Sequence, residues 1–104
     1  MDEYLFLSTV NNIEEGKKIG RVLLEEKLAA CVNIVQNLCS IYEWKGKIEE
    51  ENEHLLLIKT TGEKRQKLIQ KIMEIHSYEE PEVIGLRIED GSESYLKWIN
   101  EVLK

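Results

Sequence analysis

The amino-acid pattern predicts a single α+β domain spanning residues 1–104, on three observations. Four segments have strand length with apolar alternation or apolar runs; three others repeat with helical period behind capping residues. Turn residues rather than linkers separate them, and no repeat or low-complexity stretch intervenes. A chain of 104 residues buries roughly 65% of its unfolded surface, enough for one core.

Residues 3–10 form a short apolar run, a strand buried on both faces, which Asn11-Asn12 ends. Asn12 with Glu15 three places on fits a capping-box-like helix start, the asparagine accepting from a free backbone N–H. That helix is predicted to continue to about Lys27, with Ile19, Val22, Leu23 and Leu28 as its stripe. Gly16 and Gly20 share one face and let it approach a sheet closely.

Residues 29–43 alternate with strand period. One face is read as Ala30, Val32, Ile34, Leu38 and Tyr42; the other as Cys31, Val35, Cys39 and Ile41 with Asn33 and Asn37. Trp44-Lys45-Gly46-Lys47 reverses the chain into a return strand, Ile48 to Thr60. Strands are usually ~5–6 residues long, so this hairpin exceeds what one small domain covers. Its far half must be solvated, bulged or paired with another subunit.

Thr60 and Glu63 read as a second capping box opening a helix to about Ile75, with Leu68, Ile69, Ile72 and Met73 as its stripe and His76 at its end. Pro81 holds the preceding residue extended. Glu82 to Glu89 alternate as a further strand, Asp90-Gly91 turns the chain, and Ser92 caps a last helix bearing Tyr95, Trp98, Ile99 and Val102. The order βαββαβ plus a C-terminal helix describes a ferredoxin-like sandwich: an antiparallel sheet with a long central hairpin and helices on one face. The other face then needs a cover, and self-association supplies one.

Charge and composition narrow the function classes. A formal charge of −6 opposes attraction to phosphate backbones, which argues against nucleic acid as a partner. No apolar run approaches the ~20 residues that span a bilayer, and the acidic start Met1-Asp2-Glu3-Tyr4 is unlike a secretory signal; no membrane partner and a cytoplasmic location are expected. Cys31 and Cys39 lie on one predicted strand, roughly 26 Å apart at ~3.3 Å per residue, too far for a disulfide. Free, mostly buried thiols are the simplest reading.

Only two histidines, His54 and His76, are present, and no phosphate-cradling glycine loop or paired-cysteine metal spacing occurs. Non-enzymatic work without an organic cofactor is expected. On a strand, Glu49, Glu51 and Glu53 line one side and Glu50 the other; such acids either attract hard cations or defend a solvated edge. His76 at a helix end is either a structural cap or an imidazole ligand for copper or zinc.

Leu28-Ala29-Ala30-Cys31-Val32-Asn33, then Tyr42-Glu43-Trp44-Lys45-Gly46-Lys47, Leu57-Ile58-Lys59-Thr60-Thr61, His76-Ser77-Tyr78-Glu79-Glu80-Pro81-Glu82 and Tyr95-Leu96-Lys97-Trp98 together resemble the CutA family of divalent-cation tolerance proteins. The resemblance implies a ferredoxin-like domain in a tight PII-like homotrimer, tolerance of divalent cations, copper above all, and no catalysed reaction. It implies metal contacts at His76, with Cys31, Glu79 and Glu82 completing them, and subunit contacts at Tyr42, Trp44 and Trp98. Ser77 stands where the family typically has proline. Metal-binding members carry a cysteine at the end of the first strand and a second histidine before the conserved one; here Ser8 and Ile75 hold those positions. The alternative function is a PII-like regulatory or interaction module that binds a small ligand or partner protein at the subunit interface. An enzyme using Cys31 is a third and more distant class.

Overall fold

The computed structural model describes residues 2–104, in which four strands form one antiparallel sheet in the order β2-β3-β1-β4. β1 is Glu3–Val10, α1 Ile13–Glu25, β2 Cys31–Trp44, β3 Lys47–Thr61, α2 Arg65–Ile75, β4 Ile84–Ile88 and α3 Glu93–Val102. The central position of β1 and β3 is the ferredoxin-like arrangement that the element order predicts.

α1 opens as its sequence dictates, the Asn12 side chain accepting from the Glu15 N–H at 2.8 Å. It closes earlier than expected, in a Schellman motif. Leu28 N donates to Leu23 O and Lys27 N to Leu24 O, with Lys27 at φ 59° in the left-handed position usually given to glycine. The turn drops Leu28 into the core beside Leu23. A Cβ on Gly16 would stand 3.2 Å from Val10 and 3.3 Å from Leu56, so the bare backbone there is what seats α1 on the sheet. Phe6, Val10, Ile19, Leu23, Leu56, Ile58, Leu68 and Ile72 form the main core between α1, α2 and the sheet, each worth about 1.5–3 kcal/mol for its burial.

Four sequence expectations need correction. Thr60 caps no helix: its hydroxyl donates to the Leu28 carbonyl at 2.7 Å, and α2 is entered through a 3-10 turn at Gly62–Lys64 instead. Ser92 likewise makes no side-chain cap bond.

The second correction concerns the faces of β2. A β-bulge separates Val35, paired with Leu55, from Leu38, paired with Glu53. Asn37 sits at φ 62° and its N–H donates to His54 Nδ1 at 3.3 Å. One inserted residue exchanges the faces. Leu38 and Tyr42 therefore share a face with Cys31 and Val35, while Cys39 and Ile41 move to the other.

Third, the helices do not all share one face. The residues of β1 and β3 facing α1 and α2 are Phe6, Val10, Leu56 and Ile58. α3 instead meets the opposite parity: Asn100 donates to Glu3 at 2.7 Å, and the Lys59 ammonium lies 5.6 Å from the Tyr95 ring. Ile99 and Leu103 close a second small cluster there with Ala30.

Fourth, the thiols are not mostly buried. Both are free as expected, but Cys31 is half-buried and Cys39 exposed.

β1 stops pairing with β3 at His54. From Leu38 and Glu53 outward the two strands of the hairpin pair only with each other, ending in a two-residue turn with Lys45 and Gly46 both at positive φ. This arm gives the molecule its elongated outline, 44 × 25 × 22 Å.

Candidate functional site

The segment joining α2 to β4 crosses the end of β1 and meets the arm where it leaves the sheet. His76 anchors this crossing. Its side chain is 0% exposed, and Nε2 lies 2.7 Å from the carbonyl oxygen of Thr9. The Tyr78 N–H donates to Nδ1 at 3.1 Å. Glu15 holds the next residue, accepting from both the Ser77 N–H and hydroxyl at 2.8 Å each. Glu15 thus binds a different segment rather than closing the cap on its own helix.

Tyr78 then reaches the arm. Its hydroxyl donates to Glu53 at 2.5 Å. Desolvation first, then that hydrogen bond, then the charges of Glu53 and Glu51 push the phenol well above its ordinary 10.0. Tyr42 is shifted the same way, first by Glu51 as acceptor, then by desolvation and the neighbouring carboxylates. Glu53 is 5% exposed.

Between the arm and this segment lies a groove of about 690 Å³. Glu49, Glu51 and Glu53 line one wall, as strand alternation predicts, with Ser40, Tyr42 and Trp44; Tyr78, Glu79, Glu80 and Glu82 line the other. No lysine or arginine is among the lining residues. The groove concentrates negative potential beside three aromatic rings. Sequence reading found each carboxylate run, but not that they face one another, because no spacing reports which loop crosses which strand.

The predicted metal residues are divided. Glu79 and Glu82 belong to the groove. His76 is buried behind it, and Cys31 lies on β2 toward α3, its thiol 3.6 Å from Asn33 Oδ1, which also accepts from Lys59 at 2.8 Å. Among the described residues, no group of three or more His, Cys, Asp or Glu side chains is placed to hold a metal ion. Of the predicted contact residues, Tyr42 and Trp44 line the groove, each 38% exposed. Trp98 lies on α3, its ring 5.5 Å from Tyr95 and 43% exposed.

The family described as CutA1 divalent ion tolerance protein matches residues 4–102. The chain belongs to this family. It is 44% identical to the divalent-cation tolerance protein CutA of Thermus thermophilus over 95% of this chain and 96% of that one. With the chloroplastic CutA of Arabidopsis thaliana it shares 47% identity over 88% of this chain and 50% of that one. The chain spans about half to two thirds of the length of the animal and plant relatives it matches. The solved structure of the periplasmic divalent cation tolerance protein CutA from Archaeoglobus fulgidus superimposes with a TM-score of 0.94 at 36% identity, covering 98% of this chain and 99% of that one. The fold and family expected from the sequence are thereby shown. No helix among the described residues is long and apolar enough to cross a membrane.

Proposed function

We propose that this CutA-family chain acts as a non-enzymatic homotrimer that binds or buffers divalent cations, copper among them, in the cytoplasm. The observation that carries the assembly is the arm, which leaves Ile41 66% and Ile48 79% exposed, with Val35 at its root 45% exposed. The sheet face opposite α1 and α2 adds Ile84 at 51% and Leu86 at 47%. Scattered apolar residues are ordinary on a surface, but exposed apolar side chains on both faces of an unsupported hairpin and on the neighbouring sheet make a surface built for a partner. A second and third copy of the chain supply it.

The cation reading is supported by family membership and by the groove. Carboxylates gathered along one groove lower the free energy of a divalent ion nearby, and oxygen ligands suit hard cations best. Of the four expected ligands, Glu79 and Glu82 are the two that the geometry favours. Equilibrium binding of Cu²⁺ and Zn²⁺, with elemental analysis of unsupplemented protein, tests it: uptake weakened by Glu79→Gln with Glu82→Gln is expected, and no uptake of either ion overturns it.

One observation favours the alternative of a regulatory or interaction module. The groove volume of about 690 Å³ falls within the ~300–1,000 Å³ typical of small-molecule sites, and aromatic rings beside carboxylates select a cationic ligand. Thermal stabilisation by a small organic cation, absent with divalent metals, would favour this reading.

A further inference from the structure

We infer that His76 in this chain is a neutral structural imidazole that positions Tyr78, and that metal ions reach the protein without it. The second half rests on the cation-binding reading above; the first half stands alone. A carbonyl oxygen only accepts, so the 2.7 Å contact with Thr9 places a proton on Nε2. A backbone N–H only donates, so the 3.1 Å contact from Tyr78 requires an unprotonated Nδ1. The two bonds together fix one neutral tautomer and occupy both ring nitrogens.

A ligating histidine characteristically donates one N–H to a carbonyl and offers the other nitrogen to the metal. Thr9 supplies the first half of that pattern here. The Tyr78 N–H fills the place where the metal would sit. An ion at Nδ1 must expel this backbone donor, and the ring is closed to solvent, its side chain 0% exposed. Nor is a second ligand waiting among the described residues. The nearest carboxylate, Glu15, is 3.7 Å from Nδ1, with both oxygens already held by Ser77. Ile75 and Ser77 flank the ring in sequence, and Cys31 lies elsewhere on β2. What His76 does instead is seat Tyr78: their ring centroids lie 4.6 Å apart with the planes tilted by 52°, and Tyr78 continues to Glu53 at the root of the arm.

The experiment is ¹⁵N NMR of the imidazole nitrogens in full-length protein, with and without Zn²⁺ as a diamagnetic probe. The expected result is a protonated Nε2 and an accepting Nδ1 on His76, both unmoved by excess Zn²⁺. A shift of either His76 nitrogen to a metal-bound value overturns the inference. Pulsed EPR of Cu²⁺ added to His54→Gln protein, which removes the other histidine, reads the same question with copper. Bound copper without imidazole-nitrogen modulation supports the inference; modulation from His76 overturns it while leaving cation binding intact. If copper does not bind at all, the cation reading fails, and the ring-nitrogen shifts still decide the role of His76.

Discussion

The Tyr78 hydroxyl and the Glu53 carboxylate meet at 2.5 Å, joining the segment after α2 to the first residue of an arm that otherwise pairs only with itself. A phenol held in its protonated form by folding makes stability depend on alkaline pH. The folded Tyr78 loses its proton only well above the ordinary 10.0, so the unfolded chain releases it first. The stabilising contribution is complete below pH 10.0 and declines as pH rises above that value. Chemical denaturation between pH 8 and 11 (about these limits, bracketing the free phenol) is expected to show a falling alkaline limb that Tyr78→Phe flattens. Equal slopes in both proteins would contradict this.

Gly85 illustrates a second constraint. A Cβ there would stand 2.6 Å from the Phe6 ring, which is itself 2% exposed in the core. The ring covers the bare strand backbone of its cross-strand partner. Gly85→Ala is expected to destabilise by about 1–3 kcal/mol through overpacking, measured by urea denaturation. Unchanged stability would mean that Phe6 moves freely.

Ser8 is fully buried, and its hydroxyl has no hydrogen-bond partner among the described residues. Removing an unsatisfied buried polar group relieves a penalty of about 1–3 kcal/mol, less the cost of the small space left behind. Ser8→Ala is therefore expected to melt at or above the temperature of the parent. A lowered melting temperature would show that the hydroxyl is bonded in solution.

Trp44 is 38% exposed beside the arm turn, with the Lys45 ammonium 5.6 Å from its ring. If the arm is a subunit contact, Trp44→Ala weakens assembly by about 2–4 kcal/mol, as for an aromatic interface anchor. Sedimentation across a dilution series reads the shift. An unchanged association constant would remove Trp44 from the interface.

Much of this arrangement is legible in the residues, and the exceptions have physical reasons. Alternation placed Glu49, Glu51 and Glu53 on one side of a strand because β3 runs without interruption. The same count misassigned Leu38 and Tyr42, because a bulge adds one residue without changing composition; Asn37, a residue that tolerates positive φ, was the only local sign. Thr60 with Glu63 satisfied a capping pattern, yet the buried Leu28 carbonyl claimed the Thr60 hydroxyl. Resemblance marked His76 as a ligand, and only three-dimensional neighbours from β1 and from Tyr78 show both its nitrogens in use.

Native mass spectrometry of the full chain after exposure to Cu²⁺ tests the central claim most directly, since one spectrum reports both assembly and metal uptake. A mass of three 12.2 kDa chains carrying bound copper is the predicted result. A metal-free species of one 12.2 kDa chain would contradict it.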